Sequence, residues 1–395
     1  MATPEEQATA LVVDPAAAKD HAETEKDTPT TRTRKCLRRN KWTVRAAAGT
    51  LTIGLGLLIA WFVLIAVYGR AAPDYDLRDP ARNGTAWPVY ATPEVVTKWQ
   101  TELPLGVTVI DARAKPNFFA AETQPGARSS IHGSSRAYWT DFAADGGILK
   151  PDDELAVLFA QRGVSPSRPV VVYGGWTELW GEEGRIYWQL DYLGHKNVSI
   201  LYGGIFAWDD FCKTHRDRCS AYATASDEKR GLADPAGGFV AKTNSTLRVS
   251  HNDVVRLDNL DPVSTDTRVL ILDARERNEY DGATPYGSAY GGHIPNALSV
   301  PWNSVFAKDG SGNIAQPSEL WDIIRTSTNA PSDLPATYAN LTAAARTKTF
   351  IFVTYCTGGV RSAFLYAALK WAAFPGIVTN YDGSWWDWSK KTPKP

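Results

Sequence analysis

The heptapeptide CTGGVRS, from Cys356 to Ser362, carries residues whose types and spacing suit nucleophilic sulfur chemistry. Its glycines can turn backbone amides inward around an anion, and Arg361 adds a positive charge beside the thiol. We expect the pKa of Cys356 to lie below the value of about 8.5 for a free thiol, so that it reacts as a thiolate. The alternative is a buried structural cysteine, a common fate of free thiols.

The flanking residues predict a strand before this loop and a helix after it. The run TFIFVTY at 349–355 is apolar and rich in β-branched residues, and SAFLYAALKWAAF at 362–374 has a helical pattern. A cysteine placed just before a helix faces its free N–H groups and the positive end of its dipole. Both effects favour the thiolate.

The chain contains two copies of one pattern. VTVIDAR at 107–113 recurs as VLILDAR at 269–275, PVVVY at 169–173 as FIFVTY at 350–355, and YGGIFAW at 202–208 as YDGSWWD at 381–387. Short strands that alternate with helical stretches predict an α/β protein with two domains, each a central parallel sheet flanked by helices. The first copy has Gly174 where the second has Cys356, so we expect it to be non-catalytic and to line a cleft between the domains.

The composition divides the chain into six segments. We predict a disordered, basic cytoplasmic tail at 1–45, a transmembrane helix at 46–69, a linker at 70–88, the non-catalytic domain at 89–219, an interdomain linker at 220–246 and the catalytic domain at 247–395.

Residues 46–69 contain no charged side chain and are long enough to cross a hydrocarbon core of about 30 Å. A cleaved signal peptide would have a shorter leader before it, and a buried core helix would show polar positions at helical spacing. Basic residues precede the stretch without any acidic residue among them. The prediction is a single-pass membrane protein with a cytoplasmic N-terminus and both domains on the non-cytoplasmic side.

The overall charge and the remaining cysteines restrict the function further. A formal net charge of -1 argues against a nucleic-acid partner. Cys212 and Cys219 are close enough in sequence for a local disulfide in an oxidising compartment. Together with His215 they also resemble part of a zinc site, but a fourth ligand is not evident, and two free thiols are a third possibility. We expect no metal and no cofactor.

The chain resembles a tandem-domain rhodanese of the thiosulfate/3-mercaptopyruvate sulfurtransferase family from about residue 89 to 390. The resemblance lies in DAR at 273–275, GHIPNA at 292–297, the CTGGVRS loop and YDGSWW at 381–386. It implies two rhodanese-like domains, an inactive first copy, and a catalytic loop that runs from Cys356 to Arg361. The implied reaction takes sulfur from a donor onto Cys356 as a persulfide and passes it to a thiol or to cyanide.

Substrate binding is expected from the loop and from one neighbouring arginine. The amides of Thr357, Gly358, Gly359, Val360, Arg361 and Ser362 can hold an anionic donor. The resemblance places Arg275 where the family contacts the anionic end of the donor; the alternative is a structural ion pair with Asp273. We interpret His293, within GHIPNA, as structural.

The donor is expected to be thiosulfate, with 3-mercaptopyruvate as the alternative. Mercaptopyruvate enzymes of the family have a second arginine after the Asp-Ala-Arg motif. Glu279 is expected at that position here, and the alternative is Arg277 in a shifted local register. Gly358 is neither the lysine typical of thiosulfate enzymes nor the serine typical of mercaptopyruvate enzymes. Related phosphatases need five residues between cysteine and arginine, whereas this loop has four. A non-enzymatic persulfide sensor or binding module would use the same loop.

Overall fold

The computed structural model describes residues 87–114, 130–219, 238–260 and 266–394. The predicted tail, the transmembrane helix at 46–69, nearly all of the linker at 70–88 and residues 220–237 of the interdomain linker lie outside these ranges. Within them, no helix is both long enough and apolar enough to span a membrane.

The first copy forms a five-stranded parallel sheet with the strand order β1-β5-β4-β2-β3. Its strands are β1 (Tyr90–Ala91), β2 (Thr108–Asp111), β3 (Ser135–Arg136), β4 (Val170–Tyr173) and β5 (Val198–Leu201). The helices of this copy are α1 (Pro93–Glu102), α2 (Asp152–Ala160), α3 (Glu182–Tyr192), α4 (Gly204–Thr214) and the short α5 (Arg216–Cys219).

The second copy forms a four-stranded parallel sheet with the order β7-β6-β8-β9. Its strands are β6 (Thr267–Asp273), β7 (Leu298–Ser299), β8 (Thr349–Tyr355) and β9 (Ile377–Asn380). Its helices are α6 (His251–Asp258), α7 (Arg277–Tyr280), α8 (Pro317–Arg325), α9 (Tyr338–Ala344), α10 (Arg361–Trp371) and α11 (Ser384–Lys391). The predicted α/β class, with two parallel sheets flanked by helices, is confirmed.

The parallel register brings the Asp-Ala-Arg motif and the cysteine loop to the same edge of the second sheet. Asp273 pairs with Tyr355 at the carboxyl ends of β6 and β8, and the Tyr355 hydroxyl donates to the Asp273 carboxylate at 2.5 Å. Because β8 lies between β6 and β9, the loop that follows it emerges at the centre of the sheet. The central strands are buried on both faces, which explains their continuous apolar runs.

The two copies share one hydrophobic core. Helix α3 of the first copy packs against α10 of the second, and Gly184 leaves room for the backbone of Phe364. The Phe364 ring in turn packs edge-on against Trp176 of the first copy, with 5.5 Å between the ring centres. The Tyr366 hydroxyl of α10 donates to the Asp191 carboxylate of α3 at 2.7 Å. Helix α10, which follows the cysteine loop, is therefore held in place by contacts with the first copy, the silent domain that lacks the cysteine.

The described end of the interdomain linker is bound to the first copy. The amides of Lys242 and Asn244 donate to the carbonyls of Leu193 and Tyr192, both at 2.8 Å. Trp188 of α3 then donates through its indole N–H to the Leu247 carbonyl at 2.8 Å. These bonds hold the start of the second copy against α3.

Candidate active site

Cys356 lies in a loop that leaves β8 and turns back into α10. Gly359 has a φ of 82°, a left-handed conformation that glycine adopts without strain. The turn directs the Gly359 amide at the thiol, and its N–H donates to Cys356 Sγ at 3.2 Å. The side chain of Cys356 is 1% exposed. The predicted strand, loop and helix are all present, and the backbone amides of Gly358, Gly359 and Ser362 lie beside the thiol.

The surroundings of Cys356 stabilise its thiolate. Burial opposes ionisation, but the charge of Arg361 and the backbone N–H groups of Ser362 and Gly358 outweigh it. The pKa of the Cys356 thiol is therefore lowered. A buried cysteine in apolar surroundings would have a raised pKa. The direction of the shift favours a reactive cysteine over the structural alternative.

The start of α11 is bonded directly to the cysteine loop. The Cys356 amide donates to Ser384 Oγ at 3.1 Å. The amides of Trp385 and Trp386 donate to the carbonyls of Cys356 and Thr357 at 3.0 and 2.9 Å. The YDGSWW motif therefore positions the catalytic loop through its backbone.

Arg361 is held by Glu279 at the base of the loop. Its guanidinium donates to both oxygens of the Glu279 carboxylate, at 2.6 and 2.7 Å, and to Thr357 Oγ1 at 2.7 Å. The Thr357 hydroxyl donates to the same carboxylate at 2.8 Å. Burial opposes the ionisation of Glu279, but its bonds to Arg361 hold the pKa of this carboxyl below the usual value. Arg361 and Thr357 thus fix the shape of the loop.

Arg275 forms an ion pair with Asp273, which was the alternative to binding the donor. Its guanidinium donates to both oxygens of Asp273, at 2.6 to 3.1 Å, and to the Gly292 carbonyl at 2.8 Å. In the first copy, Arg113 binds Asp111 over the same distances, beside a loop without a thiol. A pair that is identical in the silent copy needs no substrate to explain it. The geometry favours a structural role for Arg275.

Arg185 of α3 reaches the loop from the silent domain, and sequence reasoning missed it. This arginine is fully buried, and it donates to the carbonyls of Gly359 and Gly147 at 3.0 and 2.6 Å. Burial lowers the pKa of Arg185 to about 10, although the negative charges of Asp382 and Cys356 act to raise it. It therefore stays positively charged at neutral pH. The sequence offered one sign of a buried arginine in α3, because Arg185 directly precedes the large residues Ile, Tyr and Trp.

Two indole rings lie against residues of the cysteine loop. A side chain at Gly358 would overlap the ring of Trp386, whose indole N–H donates to the Tyr286 carbonyl at 2.8 Å. Trp180 lies in the loop between β4 and α3 of the first copy, which corresponds to the cysteine loop and is called the silent loop below. It is 54% exposed, and its ring lies 5.5 Å from the guanidinium carbon of Arg361. Because the Trp386 ring occupies the space beside Gly358, a residue with a side chain does not fit at this position.

The silent loop contains a carboxyl group where the thiol would be. A side chain at Gly174 would overlap a carboxylate oxygen of Glu183. The other oxygen accepts a hydrogen bond from the Trp176 amide at 3.0 Å. Burial, with a smaller contribution from the neighbouring Glu182, raises the pKa of Glu183 to about 8. The first copy therefore differs from the second by more than the loss of a cysteine.

The other predicted residues lie away from the thiol or support the loop through its backbone. Val360 and Ser362 are buried on either side of Arg361. The His293 ring stacks on Tyr280 at 3.7 Å and bonds to its carbonyl through Nδ1 at 2.9 Å, as expected of a structural histidine. Cys212 and Cys219 form a disulfide in the first copy. No group of metal-binding side chains occurs in the ranges the structure describes.

A family model described as the rhodanese-like domain matches residues 92–210 and 258–391. The chain belongs to the rhodanese-like domain family. The two matched regions correspond to the two copies found in the sequence, so the predicted membership is confirmed.

Named relatives of these rhodanese-like domains include sulfur carriers and sulfurtransferases. The sulfur carrier protein TtuD of Thermus thermophilus is 26% identical over 261 residues, which cover 64% of this chain and 78% of the relative. A thiosulfate sulfurtransferase of Azotobacter vinelandii is 29% identical over 255 residues, covering 63% and 77%.

A solved structure of similar fold is that of SseA from Escherichia coli, a 3-mercaptopyruvate sulfotransferase. It covers 75% of this chain and 99% of SseA, with a TM-score of 0.53 and 23% identity. The likeness shows the shared rhodanese fold.

Proposed function

We propose that this chain is a sulfurtransferase that accepts a sulfane sulfur on Cys356 and passes it to a thiol or to cyanide. Thiosulfate is the proposed donor, with 3-mercaptopyruvate as the alternative. The observation that carries the proposal is the Gly359 amide, which donates to Cys356 Sγ within a loop that lowers the pKa of the thiol. A relative named thiosulfate sulfurtransferase supports this choice of reaction.

The reaction follows from the position of the thiolate. Cys356 Sγ attacks the outer sulfur of thiosulfate, a new S–S bond forms, and sulfite leaves with the electron pair of the old S–S bond. The amides around Cys356 Sγ would then stabilise the negative charge on the terminal persulfide sulfur. An acceptor thiolate or cyanide attacks that sulfur and restores the Cys356 thiolate. No proton has to be removed from carbon, so no general base is needed.

The loop is less suited to the phosphatase alternative. A phosphate-binding loop needs an arginine whose guanidinium faces the anion, whereas Arg361 is held on Glu279. The loop is also one residue shorter than the phosphatase pattern. We therefore expect no hydrolysis of p-nitrophenyl phosphate.

The test uses the full chain in detergent micelles with thiosulfate. Mass spectrometry should find a gain of one sulfur atom on Cys356, and addition of cyanide should release thiocyanate over many turnovers. Cys356→Ser is the control and should lose both signals. A protein that gains sulfur but never turns over would be a persulfide sensor, and one that gains none would contradict the proposal.

We also propose that residues 46–69 anchor the chain in a membrane with both domains outside the cytoplasm. The uncharged stretch follows a basic segment, and the Cys212–Cys219 disulfide suits an oxidising compartment. An alkaline phosphatase fused after Pro395 should be active, whereas the same enzyme fused after Arg45 should be inactive. An inactive fusion at Pro395 would refute this topology.

A further inference from the structure

We propose that a cavity beside Asp382 binds a free α-amino acid in its zwitterionic form. The cavity has a volume of about 390 Å³, and small-molecule sites in proteins have volumes from about 300 to 1,000 Å³. Residues of the first copy, of the interdomain linker and of the catalytic copy all line it. Binding at this cavity goes beyond the proposed function, because the sulfur-transfer reaction does not use it.

Asp382 lies between this cavity and the cysteine loop. A side chain at Gly359 would overlap the backbone of Asp382, whereas the Asp382 carboxylate bonds to Arg248 in the cavity wall at 2.9 Å. Residues 356–362, all of which the structure describes, do not line the cavity. The cavity is therefore a site distinct from the cysteine loop.

Two ion pairs in the cavity wall present their basic partners to a ligand. Arg248 pairs with Asp382, and Lys391 pairs with Asp387, both at 2.9 Å. The side chains of Asp382 and Asp387 are only 4% and 8% exposed, whereas those of Arg248 and Lys391 are 24% and 52% exposed. A ligand in the cavity therefore meets the two cations, which suit a carboxylate group.

Asp253 provides an acid in the same cavity. Its carboxylate accepts bonds from the amide and the hydroxyl of Ser250 at 2.8 and 2.6 Å, and it pairs with the exposed Arg256. The bonds from Ser250 hold the pKa of Asp253 below its usual value, so this acid is ionised at neutral pH. A carboxylate has about four acceptor positions. Asp253 can therefore accept one more bond, from an ammonium group.

The balance of charge favours a ligand without net charge. Three aspartates line the cavity, and each pairs with one basic residue. Beyond the lining, Arg185 acts on Asp382, and Asp152 accepts a bond from the Tyr192 hydroxyl at 3.2 Å, so one further charge of each sign lies nearby. A ligand with a net charge would disturb this balance, whereas a zwitterion adds one charge of each sign.

The remaining lining suits the carbon body of an amino acid. Ile148, Tyr192 and Tyr381 line the cavity and provide apolar surface. His251 lines it as well, and its Nε2 atom is bonded to the Thr392 hydroxyl at 2.9 Å. Apolar walls with a few polar groups are typical of small-molecule sites. We therefore expect an amino acid with a short apolar side chain to fit.

Three probes with one carbon skeleton separate the two charged groups of the ligand. L-Valine has both groups, isovalerate has only the carboxylate, and isobutylamine has only the ammonium group. Isothermal titration calorimetry with the full chain in detergent micelles measures each affinity without any sulfur transfer. L-Valine should bind about tenfold more tightly than either of the others, because each charged group adds its own hydrogen bonds to the complex.

Four variants locate the binding site. Lys391→Gln removes one of the two cations and should weaken the binding of L-valine about threefold. Lys390→Gln, at the adjacent exposed position outside the lining, is the matched control and should bind like the native protein. Arg248→Gln should weaken binding about tenfold, with thermal unfolding as the check that it is folded. Cys356→Ser should keep the native affinity.

Absence of L-valine binding would overturn the proposal, as would an equal affinity for isovalerate or isobutylamine. Equal affinities of Lys391→Gln and Lys390→Gln for L-valine would also overturn it. Loss of binding in Cys356→Ser would place the ligand at the cysteine loop and contradict a separate site. None of these measurements requires sulfur transfer, so failure of this proposal is distinguishable from failure of the proposed function.

Discussion

Glu279 and Arg361 form a bidentate ion pair across the base of the catalytic loop, with N–O distances of 2.6 and 2.7 Å. Both side chains are buried, and Thr357 bonds to each of them. The pair keeps Arg361 in place near the thiol, where its charge lowers the pKa of Cys356, while Glu279 balances part of that charge. It thus links the shape of the loop to the acidity of Cys356.

Glu279→Gln should lower both the stability of the protein and the pKa of Cys356. Loss of one partner of a buried ion pair leaves an uncompensated charge, which costs about 3 kcal/mol of unfolding free energy. The uncompensated Arg361 then favours the Cys356 thiolate more strongly. Denaturant unfolding measures the first effect, and the pH dependence of iodoacetamide alkylation measures the second.

The double variant Glu279→Gln/Arg361→Met is the control for the ion pair. It removes both charges, so it should regain much of the lost stability while the pKa of Cys356 rises above that of the native protein. A Cys356 pKa that is equal in the native protein and both variants would contradict the electrostatic role of Arg361.

Arg185→Met should impair sulfur uptake although the residue belongs to the silent domain. The substitution removes a positive charge that interacts with Cys356, and it removes the bonds to Gly359 and Gly147. We expect kcat/KM to fall by about tenfold to a hundredfold and the pKa of Cys356 to rise. Arg185→Lys keeps the charge but cannot span both carbonyls, so it should retain the Cys356 pKa better than Met does. Equal pH profiles for the two variants would contradict this view.

Gly358→Ala should destabilise the native protein but be tolerated once Trp386 is smaller. A methyl group at this position overlaps the Trp386 ring, and overpacking costs about 1–3 kcal/mol. In the Trp386→Leu background the same substitution should cost much less. A double-mutant cycle of unfolding free energies measures this coupling. Additive costs would show that the ring and the loop do not compete for space.

The Cys212–Cys219 disulfide should matter for stability and not for chemistry. The bridge closes a short loop in the first copy, for which chain entropy predicts about 2 kcal/mol. The variant Cys212→Ser/Cys219→Ser should therefore unfold at lower denaturant concentration while its kcat/KM for sulfur transfer stays native. A large loss of activity without unfolding would point to a role for these thiols in the reaction.

Repeats and local patterns in the sequence were enough to predict the fold class and the local structure around Cys356. Both parallel sheets and the strand, loop and helix around Cys356 follow from apolar runs and glycine positions. Arg185 and Trp386 were missed as functional residues because their roles depend on contacts between segments that are distant in the chain. The ambiguity of Arg275 had the same origin, since only the geometry of Asp111 and Arg113 in the other copy separates its two roles.

Glu183 should make the stability of the protein depend on pH. This buried carboxyl fills the place of the missing thiol at Gly174, and burial, with a smaller contribution from Glu182, raises its pKa to about 8. In the unfolded chain the pKa is about 4.3. Between these two values the folded state holds a proton that the unfolded state has released. The unfolding free energy therefore falls as the pH rises from about 4.3 to about 8.

Glu183→Gln removes the titrating group and keeps a similar shape, so it should flatten this dependence. The variant should be more stable than the native protein at pH 8 and close to it at pH 5. Burial also raises the pKa of Glu182 to about 7, so a smaller slope should remain in the variant. Glu178→Gln, at an exposed position of the same loop, is the matched control and should follow the native curve. Thermal unfolding across this pH range decides the matter: parallel curves for Glu183→Gln and the native protein would mean that Glu183 is not the buried acid inferred here.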